Sequence, residues 1–377
     1  MNRRHATLAD VATRADAAFA PSTEVRIGAE VEWLVFDRGD LTRRIDAADA
    51  ARIASGELPA GGTITIEPGG QVELVTPPHV GPRSLIDAIE FDTAMLANRF
   101  ADHGLALVPL GLDPIREPVR TLDVERYQDM ERHFLDVSPS GVRMMNLTAS
   151  LQLNIDFGPE PARTWQRANA VAPLLAAAFA NSPTTDGEEF QPISHRMRIW
   201  AATDPTRTRP VGPDPAAWGN YILDARAIPG GTSQTFRDWL GQPTPPTIDD
   251  LDRHITTLFP PVRPRGYLEF RMLDALGALG RAAAIATVWT LMTDHEVGDA
   301  ALEAALELGD PWGLAHEHGT AQSALRETVA HLFDLSARSL RPSDSQLADA
   351  VVTWGGRSWP ARPDDVGDWV LGAAEPI

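Results

Sequence analysis

Between residues 145 and 157 the chain reads MNLTASLQLNIDF, with polar and apolar residues in strict alternation. Asn146, Thr148, Ser150, Gln152, Asn154 and Asp156 share one face, and Leu147, Ala149, Leu151, Leu153, Ile155 and Phe157 the other. A period of two of this kind predicts a half-buried strand. Similar stretches at 24–36 (EVRIGAEVEWLVF) and 266–274 (GYLEFRMLD) predict two more, and TITIEPGGQVELVTP at 63–77 predicts a pair turning at Pro68-Gly69-Gly70. An amphipathic helix is expected from Ser84, as its N-cap, to His103, with Gly104 as its stop and a short strand, LALVPLG, at 105–111. A second, Ala-rich helix is expected over 162–180, halted before Pro183. Residues 112–145 are charged, broken by Pro114, Pro118 and Pro139, and read as irregular. The stretch 181–250, rich in Pro and Gly, reads as long loops with short elements between them. From Arg281 the pattern is helical to about residue 340, ahead of a tail containing Pro and Trp.

Strands so far apart, joined by helices and loops, imply the α+β class, an antiparallel or mixed sheet with helices on one side. No internal repeat or Pro/Ser-rich linker divides the chain. Residues 1–377 are therefore read as one large domain, with a mostly helical part from about 281 packed on the sheet.

Composition narrows the chemistry. With 377 residues, 10 Trp, 12 Phe and 43% hydrophobic residues, the chain can bury a large core. It has no cysteine, so disulfides, Cys-ligated zinc and thiolate nucleophiles are excluded. It has no lysine either: all 33 basic residues are arginine, which excludes a Walker-A lysine, a kinase lysine and a Schiff base to PLP. The net charge of −19 disfavours nucleic acid and anionic membranes as partners. No apolar run approaches the ~20 residues of a membrane span. Asp10, Arg14 and Asp16 interrupt the N-terminal segment, which reads as a helix of the mature chain. The expectation is a cytoplasmic protein.

Acids on strands are the most informative feature. Glu30 and Glu32 are two apart and face the same way, Glu67 and Glu73 flank the Pro-Gly-Gly turn, and Glu269 shares a face with Arg271. A solvated strand face explains any one of these. Five of them, with Glu unfavoured in strands and Gly28 beside the first pair, favour a shared site. Clustered carboxylates repel unless a cation neutralises them, and hard oxygen ligands suit Mg²⁺ or Mn²⁺ better than zinc. Arginines supply the complementary chemistry. Arg196 and Arg198 in SHRMRIW would share a face in a strand, and Arg207 lies in the DPTRT turn; for Arg198 and Arg207 a surface role is a sufficient reading. Gln152 and Asn154 form a neutral hydrogen-bonding face that suits an ammonium, ribose or amide, or simply solvent. His133 and His195 are lone histidines, read more simply as packed or surface residues. Without a covalent nucleophile, this set points to phosphoryl transfer run by positioning and electrostatics.

G-x-E-x-E at 28–32, EPGGQVEL at 67–74, NLTASLQLN at 146–154, SHRMRIW at 194–200, DPTRT and YLEFRMLD at 267–274 together resemble the glutamate–cysteine ligases of the bacterial second family. The kind they most resemble makes γ-glutamylcysteine for ergothioneine biosynthesis. The resemblance spans roughly residues 24–300. It implies a curved, mainly antiparallel sheet with helices packed outside, related to glutamine synthetase and the guanidino kinases. It also implies ATP, Mg²⁺ (or Mn²⁺), L-glutamate and L-cysteine as cofactors and substrates, with a γ-glutamyl phosphate attacked by the cysteine amine. By the resemblance, Glu30, Glu32, Glu67, Glu73 and Glu269 are the metal-binding acids, and Arg271 is the catalytic arginine that steadies the transferring phosphoryl group. Arg196 grips a glutamate carboxylate. Gln152 stands where the best-known bacterial branch has His and can still donate a hydrogen bond. Gln152, Asn154, Arg198 and Tyr127 complete the candidate substrate contacts, with Met144 and Met145 beside Tyr127 for cysteine. Two other activities suit the same acids: ligation of glutamate to a different amine, and two-metal hydrolysis of a phosphoester. A metal-binding module without enzymatic activity suits them too.

Overall fold

The structure is a computed structural model and describes residues 4–182, 192–228, 234–358 and 365–376. Seven strands among these residues form one sheet: β1 (Ile27–Asp37), β2 (Thr63–Ile66), β3 (Val72–Val75), β4 (Leu105–Val108), β5 (Ser150–Ile155), β6 (Val262–Pro264) and β7 (Leu268–Asp274). Their order is β2-β3-β1-β5-β7-β6, and every pairing is antiparallel. β1 is long enough to pair with three strands: Ile27 to Val31 with β5, Glu30 to Trp33 with β3, and Leu34 to Asp37 with β4. The mixed helix and antiparallel sheet architecture expected from the sequence is the one observed.

Alternation decides which face is buried. Ala29, Val31 and Trp33 of β1, Val72 and Leu74 of β3, Leu151 and Leu153 of β5, and Leu268, Phe270 and Met272 of β7 join a single core. Helices Pro82–Ala101, Pro161–Ala178 and Ala278–Thr293 supply the other side of that core. The last of these is apolar nearly all round, as suits a helix enclosed by others. Side chains from the opposite face of the sheet, Glu30, Glu32, Glu73, Ser150, Gln152 and Arg271, open into a cleft.

Several local expectations change. The first long helix begins at Pro82 behind Gly81, and Ser84 Oγ donates to the carbonyls of Val80 and Gly81 instead of capping. The 112–145 stretch is not wholly irregular: it holds helices Glu125–Val137 and Ser140–Leu147. Neither has a side-chain cap, so neither end was marked in the sequence. The predicted strand at 145–157 starts only at Ser150, because 145–147 finish a helix and Thr148 Oγ1 returns to the Met144 carbonyl at 2.6 Å. SHRMRIW is helical over His195–Ala201, with Ser194 Oγ accepting from Met197 N. The helix expected from Arg281 begins at Ala278, and Pro183 lies outside the described residues.

Candidate active site

The cleft holds a cavity of about 240 Å³. Sheet residues Glu30, Glu32, Glu73, Ser150, Gln152 and Arg271 form its floor, and Glu67 and Gln71 enter from the β2–β3 turn. Tyr127, Met130, Met144 and Met145, from the two helices at 125–147, line it with Arg196 and Trp200. Four of the five expected acids therefore meet in one place, as do Arg196, Arg271, Gln152 and Tyr127.

Register explains the acidic end. Glu32 of β1 lies directly opposite Glu73 of β3, and Glu30 lies opposite Gln152 of β5. Glu32 is held at both oxygens: Ser150 N donates to Oε2 at 2.7 Å and Gln152 Nε2 to Oε1 at 3.1 Å. Thr65 Oγ1 donates to Glu73. None of Glu30, Glu32, Glu67 or Glu73 has an ion-pair partner among the described residues. Burial, with the neighbouring carboxylates of Glu67 and Glu32, pushes the Glu73 carboxyl up to about 9. Burial and Glu32 likewise push Glu67 up to about 7, and burial raises Glu32 despite the arginines facing it. Tyr127, buried and facing Glu67, is pushed up to about 12.

The basic end is built differently. Glu269 does not line the cavity. It is fully buried and enclosed by arginines: Arg263 Nη2 at 3.0 Å, Arg265 Nη1 at 3.2 Å and Arg271 Nη1 at 3.1 Å. Burial raises its carboxyl, but the guanidiniums of Arg263 and Arg271 outweigh that and hold it well below the usual range. In the structure this carboxylate is matched by three guanidinium groups.

Arg271 sits at a β-bulge. Leu151 pairs with Leu273 and Leu153 with Phe270, so Arg271 and Met272 together oppose Gln152. Its Nη1 donates to Gln152 Oε1, and its plane lies over Trp200 and Phe259 at 5.5 and 5.7 Å. Arg271 lines the cavity, and its Nε is buried without a hydrogen-bond partner. Gln152 thus joins the acidic end to the basic one, through Glu32 on one side and Arg271 on the other.

The remaining candidates separate. Arg196 is buried, with Nε on Asp274 at 2.9 Å and Nη2 on the carbonyls of Arg271 and Leu273. Nε and Nη2 are thus bonded to the protein, and Arg196 also lines the cavity. Arg198 lies on the exposed side of the 195–201 helix, since two residues make about half a helical turn, and it does not reach the cavity. Asn154 does not line the cavity either; its Nδ2 donates to Glu30 Oε1 at 3.1 Å. His133 is packed against Asp204 (2.9 Å), and Arg207 is buried against the same Asp204. The sequence reading passed over Gln71, Arg126, Met130, Ser150, Trp200, Phe259 and Arg263 as cavity residues.

The fold matches that of a glutamate–cysteine ligase from Francisella tularensis solved in complex with AMP. The TM-score is 0.60 at 15% identity, over 94% of this chain and 88% of that one. Residues 26–350 match Glutamate-cysteine ligase family 2 (GCS2), and the chain belongs to that family. Among its relatives is the glutamate–cysteine ligase EgtA of Mycolicibacterium smegmatis, 37% identical over 83% of this chain and 79% of that protein. EgtA of Mycobacterium tuberculosis is 35% identical over the same shares. A chloroplastic glutamate–cysteine ligase of Medicago truncatula is 30% identical over 67% of this chain and 54% of its own length.

Proposed function

We propose that this chain is an ATP-dependent glutamate–cysteine ligase. It joins the γ-carboxylate of L-glutamate to the amine of L-cysteine, giving γ-glutamylcysteine for ergothioneine biosynthesis in the cytoplasm. One cavity lined at one end by four Glu carboxylates without an ion-pair partner among the described residues, and at the other by the Arg271 guanidinium, is the observation that carries this reading. Family membership and likeness to the EgtA ligases support it.

A free carboxylate is a poor electrophile, and conversion to an acyl phosphate by ATP supplies the leaving group. Bringing a nucleotide and glutamate together concentrates negative charge, which the acidic end alone would repel. Among the described residues, no three His, Cys, Asp or Glu side chains are close enough to hold an ion unaided. That fits Mg²⁺, which is bound by one or two carboxylates completed by water and substrate phosphates. One or two of Glu30, Glu32, Glu67 and Glu73 would hold each such ion, or Mn²⁺ in its place, and it would screen the charge between the two substrates. Arg271, fixed by Gln152, Glu269 and the aromatic rings, would offer its guanidinium to the transferring phosphoryl group. A cation held in place before reaction stabilises the developing charge without reorganisation.

Mass spectrometry of products from ATP, Mg²⁺, glutamate and an amino-acid mixture tests the assignment. The expected product is γ-glutamylcysteine, formed with ADP and phosphate. Ligation to another amine in preference to cysteine, or phosphate release from a phosphoester without ATP, would replace it.

A further inference from the structure

Four acids from three chain segments must be held in one frame, and one buried amide makes the connection. Gln71 follows the Pro68-Gly69-Gly70 turn and is 3% exposed. Its Oε1 accepts from Gly69 N at 2.9 Å, closing the turn on itself. Its Nε2 donates to the carbonyls of Thr148 at 2.8 Å and Met145 at 3.3 Å, where the 140–147 helix passes into β5. Two residues further on, Ser150 N holds Glu32 Oε2. The same short stretch, 145–150, therefore fixes the turn between Glu67 and Glu73 through Gln71 and fixes Glu32 through Ser150. The turn also presses on it directly: a Cβ on Gly69 would lie 2.3 Å from the Asn146 carbonyl oxygen.

We propose that Gln71 is a positioning residue for the cation site, setting Glu67 and Glu73 against Glu32 by tying the β2–β3 turn to the 145–150 stretch. This rests on the reading of those acids as cation ligands. Gln71 touches no reacting atom in this role. Outer partners that orient ligands in this way commonly change metal affinity by ~10- to 100-fold when removed.

The test uses Gln71→Met, which keeps length and volume and removes all three hydrogen bonds. Gln71→Asn, one methylene too short to span the gap, serves as a second and milder variant. Calorimetric titration of each purified protein with Mn²⁺ should show affinity weakened ~10-fold or more for Gln71→Met and less for Gln71→Asn. In turnover, the Mg²⁺ requirement should rise by a similar factor while the glutamate KM stays within ~3-fold, and high Mg²⁺ should restore most of kcat. A merely structural role would lower Tm and activity together with no shift in cation dependence. If either variant binds Mn²⁺ as tightly as the unaltered chain, the proposal fails alone. If the unaltered chain binds no Mn²⁺, the proposal fails together with the reading beneath it.

Discussion

Glu73 and Glu269 are the same residue type, both buried on strands of one sheet, yet their carboxyls move in opposite directions. The difference lies in the residue directly across the ladder. Glu73 of β3 faces Glu32 of β1, a like-charge pair, whereas Glu269 of β7 faces Arg263 of β6. Opposite charges across an antiparallel pair are favourable and like charges are not. The basic end of the cleft is thus neutralised internally and preorganised. The acidic end carries repulsion that a bound cation would relieve. Burial penalises both ends, and only at the basic end does the chain supply the counter-charge.

Replacing single charges at the two ends should break this contrast in different ways. At the acidic end, Glu32→Gln should abolish ligation, by ~1,000-fold or more, equal to roughly 4 kcal/mol of transition-state stabilisation. The cation-free protein should stay folded, because a repelling charge has been removed. Near-normal turnover at low Mg²⁺ would remove Glu32 from the cation site. At the basic end, Glu269→Gln should instead destabilise the protein itself, by about 3–5 kcal/mol in denaturant unfolding, since it leaves buried Arg263 and Arg271 short of a counter-charge. An unfolding midpoint matching the unaltered chain would show that the three arginines do not depend on it. Arg271→Ala should cost ~100-fold in kcat, about 2.7 kcal/mol, with smaller changes in either KM. If Arg271 serves only to pair with Glu269, the variant will melt earlier and keep its turnover per folded molecule.

The sheet was legible because a period of two survives in short segments, and the acids stand out as charges on strands that otherwise read as core. Seven residues are too few to separate a period of 2 from 3.6, so SHRMRIW left a strand open, in which Arg196 and Arg198 would share a face; the helix points one inward and the other to solvent. Arg196 pairs with Asp274, 78 positions away, and no local signal announces such a pair. Arg263 could have been found: VRPRGYLEF holds a Gly-centred turn, and the hairpin it implies sets Arg263 opposite Glu269. Gln71 lay inside the EPGGQVEL motif, but its work is done by an amide reaching carbonyls on a distant segment. The cavity wall at 125–147 was obscured by charge and proline, since its helices are set by packing over the cleft and not by caps.

The smallest expected effect is on stability as pH changes without divalent cation. Glu73, at about 9, is raised above the ordinary value of 4.5 by burial and by Glu67, Glu32 and Glu30, and Glu67, at about 7, by burial and by Glu32 and Glu30. Between 4.5 and those values the folded state holds more protons than the unfolded one, so stability falls as pH rises through the window. Below about 4.5 both states are protonated at these groups and the penalty vanishes. Glu269 has the opposite sign: its contribution is present above the ordinary carboxylate value and is lost as pH falls through its depressed one. In EDTA, Tm should therefore decline from pH 5 to pH 9, and Glu73→Gln should decline less, leaving the variant a few degrees the more stable at pH 9. Added Mg²⁺ should lift the unaltered chain at high pH more than the variant, because binding favours the deprotonated acids. The comparison of the two slopes cancels titrations elsewhere in the molecule. Parallel slopes for the two proteins would mean that Glu73 gives up its proton as readily folded as unfolded, and the acidic end would then carry no stored repulsion for a cation to relieve.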